Sequence, residues 1–338
     1  MKKPITGIIA IILIVLAVIL YNVFGPKVNA PEGKYFVIKN GATYEEIVNN
    51  LEKQNIVNPG FFFNTLMSQA DYKNNIKPGR YEIKDNSSIY SLIKMLKSGK
   101  QAAVKLVINK LRTREDLAGK IGDNFDCDST TVFKFLNNND SLKSFGVDTN
   151  TVISAVIPNT YEINFNSTIK SIFTKLNTEK EKFWNETRKS KAAAKKLTPL
   201  QVYTLASIVE EETNASSDKP LIASVYKNRF FTGQKMQADP TVKFAMKNFG
   251  LKRILLKHLE YPSPYNTYKN VGFPPGPICT PSTKTIDAVL DAAETNYMFF
   301  VAKPDLKGYS NFAVTYAEHL VFAKLYQTAL DEFLRNKK

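Results

Sequence analysis

Cysteine, histidine and tryptophan are nearly missing from this 338-residue sequence, which holds two Cys, two His and one Trp. Cys127 and Cys279 are too few for a disulfide framework, a zinc ribbon or an iron–sulfur cluster. They read either as one bridge or as two unpaired small hydrophobes. His258 and His319 stand far apart in the chain, so a zinc site on a histidine pair or a two-histidine relay has no sequence support. Acidic residues are also short: 31 Asp and Glu against 46 Lys and Arg leave a net charge of +15. At 43% hydrophobic residues the chain is not disordered over most of its length, and its size fits about two domains.

One stretch lacks charge altogether. From Ile5 to Phe24 runs an uninterrupted apolar segment long enough to cross a ~30 Å hydrocarbon core as a helix. Lys2 and Lys3 precede it, which keeps the short N-terminus in the cytoplasm and exports the remainder. The rival reading is a cleaved signal peptide, with Val28-Asn29-Ala30 as a small-residue cleavage site. The apolar stretch is long for a signal peptide, and a retained single-pass anchor over residues 1–24 is expected. An exported chain does not meet nucleic acid. The positive charge therefore suits an anionic envelope, membrane surface or polymer.

After a linker at 25–34, a strand–turn–capped helix pattern occurs three times. Tyr35 to Ile38 precedes Thr43 and Glu46, Tyr81 to Ile83 precedes Ser88, and Val107-Ile108 precedes Thr113 and Asp116. In each case the cap stands five positions after the last strand isoleucine. Asn58-Pro59-Gly60 predicts one more short helix, with Pro59 at its first position. Strand, helix, helix, strand from Tyr35 to Ile83 resembles a LysM module, a small βααβ unit that binds N-acetylglucosamine-containing glycans; a plain spacer domain is the alternative. This α+β region is expected over 35–123. Residues 124–200 read as a connecting region with a Lys-rich helix from about Thr168 to Lys196, carrying Trp184.

The segment Pro199 to Thr213 predicts an amphipathic helix ending in three glutamates. At 100° per residue, Glu212 lies about 20° from Leu205, while Glu210 and Glu211 lie about 140° and about 120° away. Glu212 thus continues the apolar stripe, where desolvation would raise its pKa toward that of a general acid; a frayed last turn is the bland alternative. Met236 to Thr241 reads as a polar loop stopped by Pro240. Tyr261 to Tyr268 and Gly272 to Pro281 are proline-dense, with rings and amides suited to a saccharide cleft.

Four motifs in order, Leu205-Ala-Ser-Ile-Val-Glu-x-Glu-Thr213, Gln237-x-Asp-Pro-Thr-Val242, Tyr265-Asn-Thr-Tyr268 and Gly272-x-Pro-Pro-Gly-Pro-Ile278, closely resemble the YceG-like family of endolytic murein transglycosylases. The stretch Asn311 to His319 extends the resemblance, with departures at Ser310 and Leu320, where the family often has His and Asn. The resemblance implies a mixed α/β catalytic domain at 201–338 in a bacterial cytoplasmic-membrane protein whose catalytic part lies outside the cytoplasm. It implies peptidoglycan strands as substrate, cell-wall synthases among candidate partners, and no metal or organic cofactor. Carried over by motif, the catalytic residue is Glu212, with Gln237, Asp239, Asn266, Thr267 and Tyr268 as substrate-binding candidates. The implied reaction cleaves the MurNAc-β-1,4-GlcNAc bond within strands and leaves 1,6-anhydro-MurNAc ends. A muramidase using Glu212 and Asp239 with water, and a catalytically silent wall-binding scaffold, are the two competing functions.

Overall fold

The computed structural model describes residues 3–336; Lys2, used in the orientation argument, lies outside them. Helix α1 (Lys3–Phe24) comes first. Its Thr6–Phe24 portion, with a mean hydropathy of 2.9, is the one helix among the described residues long and apolar enough to cross a membrane.

The chain divides into two compact units, one of residues 1–106, 122–128 and 162–168, the other of 107–121, 129–161 and 169–338. In the first unit, β1 (Tyr35–Ile38), α2 (Tyr44–Lys53), α3 (Phe61–Gln69), β2 (Gly79–Glu82) and α4 (Ile89–Ser98) follow in order. β1 and β2 pair antiparallel, Tyr35 opposite Glu82 and Ile38 opposite Gly79. Thr43 and Glu46 form a reciprocal capping box on α2, and Ser88 caps α4 through the Ser91 amide. Each cap satisfies amides that the first helical turn leaves open. Helix α3 begins only at Phe61 with Gly60 as its cap, so Pro59 stands outside the helix rather than at its first position. The unit's core gathers Phe36, Ile38, Ile47, Leu51, Phe63, Tyr81 and Leu96. The strand–helix–helix–strand order expected from the sequence is present.

The chain continues through β3 (Val104–Ile108), α5 (Arg114–Gly122), α6 (Ser129–Leu136), α7 (Asn139–Lys143) and β4 (Asn159–Ile163). β3 and β4 form a second two-stranded sheet. Thr113 and Asp116 cap α5 reciprocally. The single Lys-rich helix expected over 168–196 is two, α8 (Ile169–Phe183) and α9 (Glu186–Ala194). Asn185 breaks it: its side-chain oxygen accepts from the Arg188 amide at 3.0 Å, a cap that competes with helix continuation. Trp184 and Ala192 belong to the same core as Val202, Leu205 and Ile208. Residues 129–161 and 169–200 fall in the second unit.

At the centre of that unit lies α10 (Pro199–Glu212), opened by a Thr198–Gln201 capping box with Pro199 in its first turn. Every residue from Val202 to Val209 is buried. No apolar stripe with a polar back exists here, so the amphipathic reading of this helix is corrected: it is enclosed on all faces. Around it stand α9, α11 (Lys219–Phe231), α12 (Asp239–Ala245) and α14 (Thr283–Leu290), with α13 (Leu256–Leu259) between the last two in sequence. Pro240 sits in the first turn of α12, where proline's missing amide costs nothing, so the segment expected as a Pro-stopped loop starts a helix. The chain closes with an antiparallel hairpin, β5 (Phe299–Ala302) and β6 (Ser310–Ala313), and the capped helix α15 (Tyr316–Arg335). The fold is α+β, with helices dominant and strands confined to two-stranded sheets.

The proline-dense segment at 272–281 packs inward. Ile278 donates its amide to Ser207 Oγ at 3.0 Å, and Phe273 packs on Phe230 with tilted rings whose centroids are 4.6 Å apart. A Cβ on Gly276 would lie 2.1 Å from the backbone oxygen of Asn150. Backbone on both sides leaves no flexible atom to yield. Gly276→Ala should therefore lower stability by at least about 2 kcal/mol, read as the shift of a denaturant midpoint.

Candidate active site

The last three residues of α10 are carboxylates with three different surroundings. Glu210 Oε2 receives Lys219 Nζ at 2.8 Å, and also bonds Thr285 Oγ1 and Ser282 Oγ. Glu211 accepts a two-pronged bond from Arg112, Nε and Nη2 each at 3.1 Å, and pairs with Lys110 at 3.0 Å. Burial disfavours both anions, but the cations and donors outweigh it and hold the two carboxyls below their ordinary range. Glu212 has no such ion pair among the described residues. Its Oε1 accepts one hydrogen bond, from Tyr226 Oη at 2.6 Å. Burial dominates there, Asp239's negative charge adds to it, and neither the Tyr226 bond nor the Lys243 charge offsets them; the pKa rises to about 7.

Glu212 opens onto a cleft of about 350 Å³. Tyr226 and Arg229 of α11, Gln237 just before α12, Asp239 at its first position, and Tyr268 line one part of it. Phe299 and Phe300 of β5 with Tyr316 and His319 of α15 line another. Tyr268 donates to Asp239 Oδ1 at 2.6 Å. Burial and the adjacent Asp239 charge push the Tyr268 hydroxyl far above its usual range, so it stays a donor. Arg229, 8% exposed, donates to the carbonyls of Lys235 and Met298 and to Gln237 Oε1. That last bond fixes a side chain whose own backbone is left-handed, at φ 56°.

Of the residues singled out from sequence, Glu212, Gln237, Asp239 and Tyr268 meet in this cleft. Asn266 and Thr267 do not. They are 0% and 1% exposed. Asn266 Nδ2 donates to the Leu259 and Tyr261 carbonyls, and its Oδ1 accepts from the Tyr268 amide. Thr267 Oγ1 accepts from the Ala238 amide and bonds Thr241 Oγ1. Their side-chain polar atoms bond within the fold and clamp the loop carrying Tyr268 onto the start of α12. Apart from Tyr268, the proline-dense segments do not line the cleft either, which revises their reading as its walls.

Tyr226, Arg229 and the aromatic wall were not read from the sequence. A signal for the first two was present: Tyr226-Lys-Asn-Arg229 interrupts an apolar helix with polar side chains, and positions three apart share a helical face. Both cysteines are free thiols. Among the described residues no group of three or more His, Cys, Asp or Glu side chains could hold a metal ion.

A carboxylate whose pKa is raised toward neutrality, a hydrogen-bonding rim and an aromatic wall are features that acid–base chemistry on a polar, ring-containing molecule can use. The chain belongs to the YceG-like family, whose sequence model matches residues 36–324. A relative in Bacillus subtilis named endolytic murein transglycosylase is 30% identical over 304 residues, covering 83% of this chain and 81% of that protein. A Streptococcus pneumoniae protein of the same name is 26% identical over 313 residues, 81% of this chain but 55% of its own length. The crystal structure of a YceG-like protein from Listeria monocytogenes, 26% identical, superposes with a TM-score of 0.55 over 84% of this chain and 97% of that one.

Proposed function

We propose that this chain is a membrane-anchored endolytic murein transglycosylase that cuts the MurNAc-β-1,4-GlcNAc bond within glycan strands. The observation that carries the reading is Glu212, the one carboxylate of its trio without a cation partner among the described residues, facing the cleft with a pKa near 7. Such a group is protonated often enough at neutral pH to serve as an acid and basic enough to take the proton back. The family and its transglycosylase-named relatives supply the substrate class.

Protonated Glu212 gives its proton to the glycosidic oxygen, which leaves as the C4 hydroxyl of GlcNAc. The C6 hydroxyl of MurNAc closes on C1 and returns its proton to Glu212. Bonds and protons balance, no water is consumed, and the product carries a 1,6-anhydro-MurNAc end. Tyr226 holds the carboxyl in place through its 2.6 Å bond. Asp239 acts through its charge, keeping Glu212 protonated to higher pH, while Tyr268 holds it in position. Helix α1 tethers the enzyme as a single-pass anchor, with the region around β1 and β2 exported and serving as a LysM-like glycan contact. Mass spectrometry of digested peptidoglycan tests the reaction: anhydro ends are lighter than reducing ends by one water, and reducing ends would establish a hydrolase instead.

The pH dependence follows from the same carboxyl. The acid form of Glu212 is the active one in the first step, so kcat/KM should fall as pH rises through about 7. Tyr226→Phe removes a hydrogen bond that favours the anion. The alkaline limb should then move up by about one pH unit or more, measured as a full pH–rate profile.

A further inference from the structure

His319 stands in the cleft wall with no role in the chemistry above. Its ring stacks on Phe299 at 5.4 Å and on Tyr316 at 6.0 Å between centroids, at 28° to each. Arg229 lies over the Phe299 ring, 5.5 Å from its centre. The ring thus packs in an offset stack beside aromatic rings from β5 and from its own helix. Its Nδ1 is buried and has no hydrogen-bond partner among the described residues. Yet the residue lines the same cleft as Glu212.

These facts determine where the imidazole carries its proton. A buried N–H without an acceptor is rarer and costlier than a buried lone pair without a donor. Nδ1 therefore keeps the lone pair, and the single proton sits on Nε2, on the part of the ring that can meet the cleft. A second proton would have to go on the enclosed Nδ1, next to the Arg229 charge; burial first and that charge second both disfavour it. The charged or titratable groups that line the cleft with His319 are Glu212 from α10, Tyr226 and Arg229 from α11, Asp239 from α12, Tyr268, and Tyr316 from α15, and of these the Arg229 charge is the one that acts on the imidazole.

Resting on the transglycosylase reading of the cleft, we propose that His319 is a substrate-binding residue: a neutral imidazole, stacked on Phe299 and Tyr316, whose Nε2–H donates one hydrogen bond to an uncharged oxygen of the glycan. Acetamido carbonyls and hydroxyls are the acceptors such a strand offers in quantity. A neutral donor suits them because it binds oxygen without placing a second cation beside Arg229.

Two measurements test this. With only two histidines in the chain, nitrogen-15 NMR of the full-length protein in detergent, assigned with His258→Gln, resolves each imidazole. At pH 7 His319 should show the Nε2–H tautomer, and its Nε2 signal should shift when a GlcNAc–MurNAc tetrasaccharide is added to the Glu212→Gln protein. An Nδ1–H tautomer, an imidazolium, or a signal indifferent to the tetrasaccharide overturns the proposal. In kinetics on purified glycan strands, His319→Phe keeps a ring and loses the donor, and should raise KM about three- to tenfold. His319→Gln returns an N–H and should recover most of that loss. Equal KM values for all three proteins overturn the assignment. Product ends are scored in the same digests, so an enzyme releasing reducing ends refutes the transglycosylase reading while the tautomer and the KM series still judge His319.

Discussion

Glu212→Gln should reduce cleavage of isolated peptidoglycan by about a thousandfold or more while leaving the protein folded. The amide matches the carboxyl in shape but transfers no proton, and general acid–base catalysis is worth roughly 10²–10⁴ for each step in which it acts. A second, opposite effect is expected on stability. In the fold the carboxyl titrates near 7, against 4.5 for an unstrained glutamate. Below pH 4.5 it is protonated in both states and costs nothing. Between there and pH 7 the unfolded chain ionises while the folded one does not, so stability falls; above pH 7 the full cost remains. The Gln variant should therefore match the parent near pH 4 and exceed it at pH 8 by up to about 3 kcal/mol, followed by denaturant titration at both pH values. A variant that is inactive and also less stable at pH 8 would show that Glu212 is a packing residue, not a catalytic one.

Asp239→Asn separates the two glycan-cleaving chemistries. In an enzyme that uses the substrate's own C6 hydroxyl, no water needs activating on the far face of the sugar. Asp239 then matters only for its charge and its bond to Tyr268 Oη, which an amide oxygen still accepts. Losing the charge lowers the pKa of Glu212, since Asp239 now raises it. The alkaline limb should move down, and activity at pH 7 should fall by about tenfold at most, with anhydro ends retained. A muramidase with Asp239 as its second carboxylate would lose orders of magnitude. An inactive Asp239→Asn protein, together with reducing ends released by the parent enzyme, would replace the transglycosylase reading with that one.

Local chemistry was the legible part of this sequence. Thr43 with Glu46, Ser88, and Thr113 with Asp116 cap the helices their spacing predicts, because capping depends on residues three positions apart. What depended on distant packing was not legible. The helical phase around Leu205 singles out Glu212, but α10 has no exposed face for a phase to describe. What distinguishes Glu212 is that Lys219, Arg112 and Lys110 engage its two neighbours, and one of those cations is nine positions away while the others lie about a hundred residues upstream. Asn266 and Thr267 share a motif with Tyr268 and so looked alike. Only the structure separates the two buried clamps from the side chain they present. Of the wall, Tyr316 and His319 lie in the stretch that extends the family resemblance, but no pattern assigned them to a cleft, and Phe299 and Phe300 on a hairpin read as ordinary core.

Helix α10 is anchored at one end by the Thr198 box and at the other by the ion pairs of Glu210 and Glu211, with protein on every side between. The acid at its tip consequently has the positional tolerance of an interior rather than of a surface loop. An error of about 1 Å in a reacting group can cost a hundredfold in rate. A change as remote as Ser207, which receives the Ile278 amide halfway along the shaft, would be transmitted axially to Glu212 with little slack to absorb it. Turnover in such an architecture is a gauge of core alignment, and it should register a displaced helix before the unfolding transition does.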